Sequence, residues 1–125
     1  MAQTQAIQLP TITEAGYSRA TAEGGVRVVF DGKVQHYKRS SNYYVSGPRL
    51  RAMVLHRQAD RRATFLVSAF PRKGCENEMP GRGRARFTGW EYVVAVTRDG
   101  TRCKVDGSGY WIDIDKLCFN VDLLD

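Results

Sequence analysis

Two Asp-Gly dipeptides, Asp31-Gly32 and Asp99-Gly100, each stand between arms rich in β-branched and aromatic residues. Asp-Gly suits the positive φ values of a two-residue type I′ turn, whose twist matches that of the antiparallel strands it joins. The first arms are Val26-Arg27-Val28-Val29-Phe30 and Lys33-Val34-Gln35-His36-Tyr37; the second run from Glu91 to Arg98 and from Thr101 to Val105. Each pair predicts a β-hairpin. With a two-residue turn in the second, Arg98 faces Thr101, Val96 faces Cys103 and Val94 faces Val105, so these apolar pairs share a core face with Tyr92. Thr97, Arg102 and Lys104 then share a wet face, and Cys103 reads as a small buried hydrophobe rather than a nucleophile.

The rest of the chain supports the same class. After Gly107-Ser108-Gly109, the run Tyr110 to Asp115 alternates apolar and acidic, and Leu117, Phe119 and Val121 continue a period of two, which predicts one or two more strands. Residues 63–70 form an apolar run of strand length ended by Pro71. Between Pro48 and Arg62 the apolar residues do not separate by period; propensity and the early proline favour a short helix over a strand. Residues 1–24 read as an N-terminal arm or an edge strand around Ile7 to Ile12, and residues 71–86, punctuated by Gly and Pro, as a long mobile basic loop with almost nothing to bury. The expected fold is α+β to mostly β: a curved antiparallel sheet or small barrel built from hairpins, with one helix near residues 48–62, in a single globular domain over residues 25–125. A length of 125 residues with 42% hydrophobic residues is enough for one such core.

No apolar run reaches the roughly 18 residues of a membrane span, and the first ten residues carry neither a basic n-region nor an apolar h-region, so a cytoplasmic protein without membrane contact is expected. Three cysteines, Cys75, Cys103 and Cys118, are odd in number and widely spaced, unlike a disulfide framework. No C-x-x-C or H-x-x-x-H pair occurs, and no metal or other cofactor is expected.

Charge is where the sequence speaks of partners. Residues 33–86 hold 13 Lys or Arg against 3 Asp or Glu, whereas residues 105–125 hold 1 against 5. A field so divided attracts anionic partners to one side. Arg82-Gly83-Arg84-Ala85-Arg86, preceded by Arg72-Lys73, sets guanidinium forks among small residues, a pattern suited to gripping phosphates; the competing reading is a solvated loop that keeps the protein soluble. Lys38-Arg39-Ser40-Ser41-Asn42-Tyr43-Tyr44 places cations beside two aromatics. Adjacent strand residues point to opposite faces, so only one tyrosine is free to stack on a base, and Tyr43 is taken as that one, beside Lys38 and Arg39. Arg102 and Lys104 border the footprint.

The expected function is that of a small basic non-enzymatic protein contacting nucleic acid through the arginine-rich loop. One alternative is a protein-binding inhibitor or adaptor of mobile-element or regulatory type, in which the same arginines meet an acidic protein surface around an aromatic anchor such as Trp90, Tyr92, Tyr110 or Trp111. The other is a small nuclease, using Asp113 and Asp115 on one strand face to hold Mg²⁺, or His36 and His56 as acid and base. A homo-oligomer joining the basic middle of one copy to the acidic C-terminus of another is a further expectation.

Overall fold

The computed structural model describes residues 7–19, 24–60, 65–80, 87, 89–106 and 109–123. Among them the chain is mostly β. Strands β1 (Ile12–Tyr17), β2 (Gly25–Phe30) and β3 (Lys33–Lys38) form an antiparallel sheet in that order. Helix α1 (Gly47–Ala59) follows, and then β4 (Phe65–Pro71), β5 (Glu91–Val96), β6 (Arg102–Val105), β7 (Ile112–Asp113) and β8 (Leu117–Leu123) form a second sheet in the order β7-β6-β5-β4-β8. The two sheets pack together through β2, β3 and β8 and are stitched by a bridge between Tyr43 and Phe119. They do not close into a barrel: β1, β3, β7 and β8 remain sheet edges among the described residues.

The first hairpin has the expected form. Asp31 (φ 50°) and Gly32 (φ 79°) both take positive φ, as a type I′ turn requires, and Phe30 pairs with Lys33. Thr11 clamps the turn from β1's side, its N–H reaching the Asp31 carboxylate at 2.8 Å while its carbonyl accepts from the Asp31 N–H at 2.9 Å.

The second hairpin keeps its register near the turn but not its turn type. Thr97 N–H donates to the Arg102 carbonyl at 2.9 Å and Val96 faces Cys103, yet only Gly100 has positive φ. Asp99 explains the wider, four-residue loop. Its Oδ1 accepts from Thr97 Oγ1 (2.7 Å), Thr101 Oγ1 (2.8 Å) and Thr101 N–H (3.1 Å), so Thr101 turns inward to Asp99 instead of pairing with Arg98. Farther from the turn a β-bulge corrects the expected pairing: Val93, not Val94, faces Val105. One extra residue reverses the faces beyond it. Val93 is therefore buried, while Val94 and Tyr92, both expected in the core, are exposed.

Helix α1 matches the segment read as helical, starting one residue earlier and ending at Ala59. Ser46 is its N-cap, Pro48 lies in its first turn, and Leu50, Met53 and Val54 recur at helical spacing on the face that packs on β4 and β5. Strand β4 alternates buried and half-buried residues from Phe65 through Pro71, so the strand includes the proline rather than stopping before it. Phe30, Phe65 and Phe119 are fully buried at the centre, each contributing roughly 1.5–3 kcal/mol by its burial.

Three further expectations are revised. The N-terminal strand is Ile12–Tyr17, at the edge of its sheet, because Ile7 is tied instead to the β5–β6 loop through a hydrogen bond to the Arg98 carbonyl (3.1 Å). Residues 110–115 supply only the short β7, since Ile114–Lys116 wind into a 3₁₀ turn that carries the chain into β8. The basic loop is not empty of core: Glu76–Glu78 form a 3₁₀ turn, Met79 is buried, and Cys75 packs against the core.

Candidate nucleic-acid interface

The antiparallel pairing of β6 with β7 sets Arg102 against Asp113 and Cys103 against Ile112. Period two puts Cys103 and Ile112 into the core, so Arg102, Lys104, Trp111 and Asp113 share the outer face. There the Lys104 ammonium lies 5.3 Å from the centroid of the Trp111 ring, and Arg102 Nε donates to Asp113 Oδ1 at 3.0 Å. Trp111 is 43% exposed, so the ring is held by a cation while much of it meets solvent. Lys116, from the 3₁₀ turn, lies 3.7 Å from both Asp113 Oδ2 and Glu78 Oε1.

A second ring and cation stand on the other side of Asp113. Tyr44 is 71% exposed, and the Arg72 guanidinium sits 3.7 Å above its centroid. Arg72 is held there by its own N–H to the Lys116 carbonyl (2.9 Å) and by a guanidinium N–H to the Leu117 carbonyl (3.3 Å). Between Tyr44, Arg72 and the 3₁₀ turn lies a cleft of about 500 Å³, with the buried Val45 and Ile114 in its lining. A smaller cleft of about 240 Å³ runs by Arg102, Trp111 and Lys116, and the two share Asp113. The helix start and the β5–β6 loop meet at the larger cleft, where a methyl on Gly47 would overlap the Gly100 carbonyl oxygen.

The expected site residues separate accordingly. Arg72, Arg102 and Lys104 are gathered around the two clefts, and Lys73 is exposed next to Arg72. Lys38 and Arg39, both exposed, lie at the end of β3 in the other sheet. Arg82, Arg84 and Arg86 lie outside the described residues. Tyr43 is not the outward tyrosine. Its hydroxyl accepts the Lys38 N–H at 2.7 Å, its ring meets Tyr37 edge-on at 5.2 Å, and its backbone bridges to Phe119, so the outward ring is that of Tyr44. Trp111, named from the sequence only as an anchor for a protein partner, Tyr44 and Lys116 are thus the residues that sequence reasoning left out of the nucleic-acid site. The shared parity of Trp111 with Asp113 was the available signal for the first.

The nuclease constellations do not assemble. Asp113 ends a strand and Asp115 sits in the 3₁₀ turn, so they share no strand face, and Asp113 is ion-paired to Arg102 and Lys116. Among the described residues no group of three or more His, Cys, Asp or Glu is placed to hold a metal ion. His36 Nδ1 is 2.8 Å from the hydroxyl of the fully buried Ser18, while His56 stacks on Phe65 at 6.1 Å. The acidic C-terminal stretch already meets partners within the chain, through Asp113 and through Asp122, which accepts the Ser40 N–H at 3.1 Å.

Of the free thiols, burial pushes Cys103 up to about 12, and burial also raises Cys118, which is partly offset by the neighbouring Arg72 cation. Among the described residues, no helix is long and apolar enough to cross a membrane. No family model, no curated protein and no solved structure matches the chain.

Proposed function

We propose that the chain is a non-enzymatic nucleic-acid-binding domain of the cytoplasm, with single strands as its preferred ligand. The observation that carries this reading is the pair of exposed rings, Tyr44 under Arg72 and Trp111 beside Lys104, set along two clefts that share Asp113. Single-strand binders combine cations that track the phosphates with aromatic faces on which bases stack, each stack being worth about 1–3 kcal/mol. Arg102, Lys104 and Lys73 supply charge at the surface, and the arginines at 82, 84 and 86 follow in the chain from the buried Met79. Three free cysteines fit a reducing compartment.

Fluorescence anisotropy against labelled single-stranded RNA, single-stranded DNA and duplex, across a salt series, tests the reading. Single strands are expected to bind best, with an affinity that falls steeply with salt, and replacing Arg82, Arg84 and Arg86 by Ala should lower the salt slope by about 2–3 if each grips one phosphate. Absence of saturable binding near physiological salt sinks it.

A second reading, an inhibitor or adaptor for a protein partner, is favoured by a different cleft. Strands β4 and β5 pair only at Ser68–Tyr92 and Ala69–Glu91. Where they diverge, a cleft of about 560 Å³ opens beside α1, lined by Met53, Leu66 and the exposed Tyr92 and Val94. An apolar centre of this kind gives binding that is selective and less sensitive to salt than phosphate contact.

A further inference from the structure

The cleft beside Tyr44 and Arg72 holds a cation and carboxylates together, and that mixture restricts what enters it. Asp113 and Asp115 both line it, together with Tyr44 and Arg72. Both oxygens of Asp113 are engaged, by Arg102 and by Lys116, whereas the exposed Asp115 carboxylate makes no hydrogen bond or ion pair among the described residues. A phosphate pushed into this space would face Asp115 at short range and be repelled. A neutral base would not.

The Tyr44 ring is ready for such a group. Arg72 covers one face of it at 3.7 Å, yet the residue is 71% exposed, which leaves ring surface for a second planar partner. The volume of about 500 Å³ is that of a small-molecule site, and apolar Ile114 and Val45 line it. What distinguishes the bases is the edge they turn toward Asp115. A carboxylate only accepts. Guanine presents two adjacent donors, N1–H and N2–H, which match the two oxygens of one carboxylate. Uracil presents a single N3–H between two carbonyl oxygens that the carboxylate repels, and adenine and cytosine each offer one amino group beside a ring acceptor.

We propose that this cleft is a nucleobase site selective for guanine in a single strand, with the base stacked on Tyr44 and its Watson–Crick edge bonded to Asp115. The assignment rests on the nucleic-acid reading above. The strand's phosphates pass outside the cleft, near Lys104 and the exposed Lys73. Unstacked bases read on their Watson–Crick edges are the usual basis of sequence preference in single-stranded RNA recognition.

The test compares two labelled RNAs of about ten nucleotides, one all uridine and one with a single central guanosine, by anisotropy at near-physiological salt. The guanosine strand should bind about tenfold more tightly, as expected for one bidentate base contact. Asp115→Asn, which replaces one acceptor oxygen by a donor and removes the charge, should abolish that ratio, because the guanosine strand loses its paired acceptors and the uridine strand no longer meets a carboxylate. Tyr44→Ala should weaken both strands by about tenfold, and Tyr44→Phe should restore binding because the ring face is what stacks. Circular dichroism checks that each variant is folded. Equal binding of the two strands, or a ratio untouched by Asp115→Asn, overturns the guanine assignment and leaves nucleic-acid binding intact. Failure of both strands to bind overturns the nucleic-acid reading itself, and this site with it.

Discussion

Reactivity at single residues follows from where the fold places them. The thiolate is the nucleophilic form of cysteine, so a thiol held up to about 12 by burial is nearly inert at pH 8. Cys103 is such a group, fully enclosed between β5 and β7, whereas Cys75 is only half-buried, beside the 3₁₀ turn. Cys75 is also raised, first by partial burial and then by its hydrogen bond to Glu78, but reagent can reach it. Cys118 is buried and its Sγ–H points at the Phe70 carbonyl (3.5 Å). In a timed alkylation followed by mass spectrometry, Cys75 should therefore label first, with Cys103 modified only as fast as the molecule opens. Equal rates at Cys75 and Cys103 would place the outer and inner faces of β6 wrongly. The same residue-level logic separates Tyr43 from Tyr44. Alternation shows that neighbours on a strand diverge, but which one faces inward is decided by the Phe119 bridge, a contact across 76 positions of sequence that no local pattern contains.

At the scale of elements, the β5–β6 loop carries a titratable turn residue. Hydrogen bonds from Thr97 and Thr101 hold the Asp99 carboxyl below the usual carboxylate range. A lowered folded value means that the unfolded chain binds the proton more readily, so the contribution to stability is complete above the ordinary carboxylate pKa and is lost as pH falls through the lowered folded value. Hydrogen exchange of the β5–β6 amides should accordingly quicken in acid beyond the intrinsic pH trend, and Asp99→Asn should remove that added dependence; an identical acid response in the variant would exclude the carboxylate as its source. This loop also marks the limit of what the sequence discloses. The pairing of Val96 with Cys103 was readable from Asp99-Gly100 and the arms, because register near a turn is fixed by the turn. The bulge two residues farther on was not, and it alone moved Val94 and Tyr92 to the surface. The helix shows the reverse case. Its apolar residues do not sort by period in the sequence, and packing against β4 and β5 selects Leu50, Met53 and Val54 and leaves Leu55 outside.

At the scale of the whole molecule, Arg49 joins parts that the sequence keeps apart. It leaves the first turn of α1, lies 4.6 Å from the Phe30 ring, donates to Gln35 Oε1 at 3.4 Å and stands beside the Tyr37 hydroxyl, so the helix and the first sheet share one half-buried anchor. Tyr37 is the titratable member. Burial pushes its hydroxyl up to about 12, against the lowering influence of Arg49 and with a smaller raising effect of Tyr43. A raised folded value gives a contribution that is complete below the unfolded tyrosine pKa near 10 and is lost as pH rises through about 12. Over that interval the loss is of order 2 kcal/mol, from a difference of about two pKa units. Lysines titrate in the same range, so the informative quantity is the difference between wild type and Tyr37→Phe in urea unfolding at successive pH values. The difference curve should be flat up to pH 10 and then change in favour of the variant, since phenylalanine has no proton to lose. A flat curve through pH 12 would show that Tyr37 ionises as freely in the folded chain as in the unfolded one, which is incompatible with its place between the two sheets and the helix.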